Sequence, residues 1–491
     1  MRRLPGFGCA ALNGKSRLIG CKGSRCYLSV LRRFTLHLHK FVMPQIQASD
    51  LSSEIIIEIF KNFSTPVPIH PGSTSQHSQF PWFLGHICAR WRIVFLSMSP
   101  HFWGHIEINV YRAYKPFPRS VAYFERALDI LNFCLKCNEG YPLSFSFWMG
   151  THYTEEYLYV IDILDALLAQ SMRWAKVDLR IQAAEIPRLH SIKGRMPLLQ
   201  SLVFAQTELE DFFVPIDPGF ARFVDAFEDS QSLTHLELYM SNITGWNCNW
   251  SLLVVLRLKS LSTTDGLVAA LSQSVRLEEL EVTWPKYSPY SFSGPIDIIA
   301  PSMITLSSLK TMTLPWNVFD VLGVLTAPSI KHLSIEFRIR NEHAGIVAAF
   351  LRRSACLLEH LVLQFASPAV AVEVLSVIPS LPSLELRHFN NVDGIIKVFN
   401  CNLPDGALRI APRLKSLQVH LSGDLKQGEV VELSTMVAAR ARNVEVDALR
   451  ELTVWADYSW TRSRIDFAML QSQCEEQGVK LTIGGGLGAR M

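Results

Sequence analysis

The chain has 491 residues, 49% hydrophobic, 10% aromatic and 19% charged, which excludes a wholly disordered polymer and suffices for a large buried core. Its net charge of +3 is uneven, because residues 1–49 hold nine Lys or Arg and no acid, so the remaining body is mildly acidic. Long-range attraction to nucleic-acid phosphates therefore has little support outside that arm, and no apolar run reaches the ~18 residues of a membrane-spanning helix.

Residues 1–49 read as a basic, flexible leader. They are acid-poor as targeting peptides are, yet Pro5 to Gly8 interrupt any clean amphipathic helix, and Met43 offers an alternative start. Ten irregularly spaced cysteines fit a reducing compartment, cytoplasm or nucleus, better than a disulfide framework.

At Asp50 the character changes. Asp50 is placed as a helix N-cap, Glu54 suits the first turn, and Leu51, Ile55 and Ile59 recur at four-residue spacing, widened by Ile56, Phe60 and Phe63. Residues 64–80, rich in Pro, Ser, Gln and His, read as a loop. A second helix is expected from Pro81 to Leu96, with Phe83, Ile87 and Trp91 on one row and Leu84, Cys88 and Phe95 near the next. Phe102 and Trp103 follow the stop at Ser99-Pro100, so residues 50–105 carry more large apolar groups than so small a unit easily hides.

Beyond Trp103 a second pattern begins. A Leu-x-x-Leu-x-Leu phrase, or an apolar equivalent, occurs at Leu199, Leu233, Leu277, Leu309, Ile330, Leu358, Leu381, Leu414 and Leu449, with a degenerate copy at Trp174. Successive starts from Leu199 lie 21 to 44 residues apart, often beyond the usual leucine-rich period of about 20–29. Each phrase places two side chains on one face of a short strand, and the preceding leucine fills the turn into it. Gly266 to Leu271, Ala344 to Leu351 and Val370 to Val377 are apolar enough to form helices behind the strands. The fold expected is α/β: a small helical domain at 50–105, a transitional α/β segment with the first degenerate repeat at 106–195, and an irregular leucine-rich solenoid of short parallel strands and helices at 196–460. A terminal cap and flexible tail follow at 461–491. A doubly wound sheet shares these periodicities but would need some nine strands without a phosphate-binding loop.

The stretches Leu51-Ser-Ser-Glu-Ile-Ile-Ile-Glu-Ile-Phe60, Ile87-Cys-Ala-Arg-Trp-Arg92 and Pro100-His-Phe-Trp103 resemble the F-box motif, in the manner of fungal F-box proteins with irregular leucine-rich C-terminal regions. Phrases farther on, Tyr123-Phe-Glu-Arg126, Ser171-Met-Arg-Trp174 and Phe350-Leu-Arg-Arg-Ser354, are similar in order and spacing to that group. The sequence departs from the motif at Ser52, where the family has Pro, and in the long stretch from Lys61 to Phe80. The resemblance implies a substrate receptor that docks a Skp-type adaptor of a cullin ubiquitin ligase through Leu51, Ile55, Ile59, Phe60, Ile87, Cys88, Trp91 and Trp103, and holds a target protein on the solenoid. The alternative is a leucine-rich interaction scaffold whose box recruits no ligase.

No catalytic chemistry is named by the sequence, and no cofactor or metal is expected. Cys134-x-x-Cys137 sits in an expected helix without a second Cys or His pair for zinc. Gly484 to Gly488 has no following Lys-Ser/Thr and reads as tail rather than phosphate loop. No His-Glu-x-x-His or Gly-x-Ser-x-Gly phrase occurs. Trp246, Trp250, Tyr287, Tyr290 and Trp316 are as suited to supporting a target surface as to touching the target.

Overall fold

A computed structural model describes residues 50–62, 66–69, 87–98, 100–110, 121–150, 157–207, 224–240, 242–261, 264, 266–283, 303–337, 343–389, 394, 399, 410–421, 427–441, 449–456 and 467–485. The chain divides into two compact units, Met1–Asn62 with Pro81–Ser97, and Phe63–Phe80 with Met98–Met491.

In the first unit, helix α1 spans Ser53–Asn62. Its cap is Ser52 and not Asp50: the Ser52 hydroxyl accepts the Ile55 backbone N–H at 3.4 Å, satisfying a first-turn donor that has no intrahelical partner. Glu54 lies in the positive first turn, and Lys61 in the last turn pairs with Glu58 at 2.7 Å. Helix α2 spans Ala89–Leu96, so Ile87 and Cys88, expected on its rows, precede it, with Cys88 its extended N-cap; residues 81–86 lie outside the described residues. Ile56, Phe60, Trp91, Val94 and Phe95 are buried, with the Phe60 ring 5.8 Å from Trp91 in an edge contact and 5.0 Å from Phe95. Burying each such side chain contributes roughly 1.5–3 kcal/mol.

The second unit has a mixed α/β architecture of many short parallel strands with helices interspersed. Strands β1 (Val67–Ile69), β2 (His105–Asn109), β3 (Leu143–Trp148), β4 (Trp174–Gln182) and β5 (Ser201–Thr207) open it. They continue into β6 (His235–Tyr239), β7 (Val255–Lys259), β8 (Glu279–Thr283), β9 (Thr311–Pro315) and β10 (His332–Glu336). The last five are β11 (His360–Gln364), β12 (Ser383–Phe389), β13 (Ser416–Leu421), β14 (Glu451–Ala456) and β15 (Lys480–Gly485). All fifteen pair in parallel and in chain order.

Burial explains the register. Leu202, Leu236, Leu256, Leu280, Met312, Leu333, Leu361, Leu384, Leu417 and Leu452 stand opposite one another on successive strands, all buried. Slipping any strand by one residue would turn its apolar pair to the other face. Every leucine phrase read from the sequence, the degenerate one at Trp174 included, falls on a strand of this sheet. The helices expected near Gly266, Ala344 and Val370 form at Leu267–Gln273, Ala344–Ser354 and Pro368–Leu375.

Two further expectations change. The stretch 64–80 contains β1, whose Val67 and Ile69 are buried while Pro68 sits on an edge strand, where a missing N–H is tolerated. Gly484 and Gly485 close β15 opposite Trp455 and Ala456 instead of opening a tail. No helix among the described residues is long and apolar enough to cross a membrane.

Candidate interaction surfaces

On the first unit the expected docking residues divide by burial. Ile55 is 50% exposed and Ile87 45%, whereas Leu51, Ile59 and Cys88 are half-buried. Phe60 and Trp91 are core residues that shape the unit from within. Trp103 lies in the second unit, at the end of the short helix Pro100–Trp103, buried with its ring 5.3 Å from Phe133. Two residues that sequence reasoning did not select are the most exposed of all: Ile93 at 68% and Leu96 at 51%, three positions apart on α2 and so on one side of it. The signal was present in that spacing, but Trp91, Val94 and Phe95 between and beside them are equally apolar.

On the second unit, alternation along the strands sets every second side chain on the open face of the sheet. There Arg180 lies between two aromatic rings, its guanidinium carbon 3.9 Å from the Trp148 ring centroid and 5.1 Å from that of Tyr239. Asp178 accepts from Arg180 at 3.0 and 3.2 Å and from the Trp148 indole N–H at 3.2 Å. The register explains the reach from Arg180 to Tyr239, because Ala205, the residue between them on β5, has only a methyl to place in the gap. Burial and the Glu237 carboxylate push the Tyr239 phenol up to about 12.

Next along the face, Arg257 donates to Glu279 at 2.7 and 2.9 Å and lies 3.5 Å from Glu281 and 3.7 Å from Glu237, while Lys259 pairs with Glu281. Farther on, Glu385 is held by Arg387 at 2.6 and 3.1 Å, with His420 Nε2 2.8 Å and His360 Nε2 3.7 Å from its oxygens. Burial raises the Glu385 carboxyl, yet His360, His420 and Arg387 together bring it well below the usual carboxylate range.

Of the five aromatic candidates, Trp246 and Trp250 are buried, Trp246 stacking on Phe227 at 5.4 Å, so they support the fold. Trp316 is half-buried, and Tyr287 and Tyr290 lie outside the described residues. Cys134 is buried in the helix Val121–Cys137, where desolvation pushes its thiol up to about 12, away from the thiolate that redox or metal chemistry uses. Among the described residues no three His, Cys, Asp or Glu side chains gather as a metal ion would require.

No protein-family model and no curated protein matches the chain. A Bacteroides fragilis protein of known crystal structure is 9% identical over 77% of this chain and 86% of its own length, with a TM-score of 0.29. A likeness at that level carries no conclusion about fold or activity.

Proposed function

We propose that this chain is the substrate receptor of a Skp-cullin-F-box type ubiquitin ligase. In this reading the first unit is an F-box that docks a Skp-type adaptor. The parallel sheet is an irregular leucine-rich solenoid that holds a target protein.

The observation that supports it best is the division of apolar residues on the first unit. Its interior is already filled by Ile56, Phe60, Trp91 and Phe95, and it still presents Ile55, Ile87, Ile93 and Leu96 to solvent. Large aliphatic groups left outside a completed core gain roughly 25 cal/mol per Å² when a partner covers them. The departure at Ser52 is compatible with docking, since its hydroxyl caps the helix that the family's proline would open. The receptor makes and breaks no bonds itself. It raises the concentration of target lysines near a charged conjugating enzyme, so the two units act through proximity.

Calorimetric titration of the full chain with a Skp-type adaptor tests the reading. Wild type is expected to bind and the Leu51→Ala/Ile55→Ala/Ile59→Ala variant to bind at least about tenfold more weakly, a loss of about 1.4 kcal/mol. Absence of binding by wild type with a native circular-dichroism spectrum would favour a leucine-rich interaction scaffold without a ligase role.

A further inference from the structure

Beside the Trp148–Arg180–Tyr239 stack, the open face of β2 to β5 carries a trough of about 450 Å³. Serines make it: Ser144, Ser146 and Ser201 line it where neighbouring strands carry longer side chains, with His105, Lys176 and Asp178 also facing it. Gly104 sets the close approach at its β2 end, since a Cβ there would run into the Asn138 side chain and stand 3.0 Å from the Pro142 carbonyl oxygen.

The polar groups in the trough are unequally committed. Asp178, its lining carboxylate, is neutralised by the two-pronged Arg180 contact and capped by the Trp148 N–H. Lys176 is exposed, and among the described residues no ion pair or hydrogen bond engages its ammonium, nor the hydroxyls of Ser144, Ser146 and Ser201. Glu107 acts electrostatically on His105 from β2 but does not line the trough. What the trough offers a visitor is therefore one uncompensated cation and three hydroxyls. Asp178 joins the trough to an arginine clamped between two half-buried aromatics, and Trp, Tyr and Arg are the residue types that dominate binding energy at interfaces.

We infer that this trough docks an extended acidic segment of a partner protein, with a carboxylate side chain on Lys176 and the adjoining residues laid across Trp148 and Tyr239. The serine hydroxyls donate to the carboxylate or to peptide carbonyls of the segment. Because the Trp–Arg–Tyr stack is already ordered by Asp178, little side-chain freedom is lost when the segment arrives. The inference rests on the reading of the sheet as the target-holding part of a receptor and names the chemistry of that target.

Short random peptides displayed on phage and panned on the full chain supply the probe. Selected sequences are expected to carry Asp or Glu near an apolar residue. The synthetic peptide should bind at least about tenfold more weakly to Lys176→Glu and to Trp148→Ala, measured by fluorescence anisotropy. Replacing the peptide's carboxylate by its amide should weaken binding to wild type and change little on Lys176→Glu, the non-additivity of a direct contact. Lys176→Gln serves if the charge reversal disturbs folding. Selected peptides without an acidic residue, or affinity indifferent to Lys176, would overturn the inference. Adaptor binding should be untouched by Lys176→Glu, so failure here and failure of adaptor docking are read separately.

Discussion

The indole of Trp455 fills the space that a Cβ on residue 484 would need, so the last strand can lie beside β14 only with glycine at that position. Trp455 is fixed from the other side by His420, whose ring stacks on it at 5.9 Å and 17°. Gly484→Val therefore has to expel the indole. It should cost about 1–3 kcal/mol in thermal unfolding and shift the emission of Trp455 to the red. The loss should largely vanish in the Trp455→Ala background; a Gly484→Val protein as stable as wild type would refute the packing.

Neighbouring isoleucines on α1 should behave oppositely. Ile56 is fully buried and its truncation to Ala should cost about 2–4 kcal/mol, seen as faster hydrogen exchange of the α1 amides. Ile55 is half exposed, so Ile55→Ala should stay within about 0.5 kcal/mol of wild type while weakening adaptor binding. Equal effects of the two on stability would remove the argument that Ile55 belongs to a docking face.

What the sequence revealed of this molecule follows from period. A strand with one buried face writes itself as alternation, and Leu333-Ser-Ile335 or Leu384-Glu-Leu386 can be read without coordinates. Val67-Pro-Ile69 is too short for any period to show, and Lys480–Gly485 ends in glycines that leave nothing to alternate. Leu253, Leu256 and Leu258 repeat the leucine phrase at β7 and were legible by the same rule. On α1 three consecutive isoleucines make the helix apolar on several sides, so spacing alone cannot say that Ile56 points inward and Ile55 outward. Trp148, Arg180 and Tyr239 come together only through the register of four strands, a relation between distant residues that single-sequence patterning does not carry.

Thiol labelling should separate Cys134 from any reactive pair. Its side chain is fully buried and its pKa stands at about 12, so at pH 8 alkylation should wait for unfolding. Cys248, buried and also at about 12, should behave alike. Mass spectrometry after a brief iodoacetamide pulse on native protein should find both unmodified, and on urea-unfolded protein both modified. Rapid native labelling of Cys134 would reopen the redox reading of Cys134-x-x-Cys137.

Glu385 gives the sheet a defined response to acid. Its carboxylate is 8% exposed among Arg387, His420 and His360, and its pKa lies below the ordinary 4.5. A carboxylate whose folded pKa is depressed contributes stability that is complete above the unfolded value and is lost as the pH falls through the folded one. Glu385→Gln removes that charge and leaves Arg387 without its carboxylate, so it should lower stability by about 1–3 kcal/mol at pH 7. The difference between wild type and variant should hold constant from pH 7 to about 5 and shrink only below about pH 4.5, where unfolded carboxylates begin to take up protons. Urea melts across that range measure it. A difference that already closes between pH 7 and 5 would show that a depressed Glu385 carboxyl is not its source.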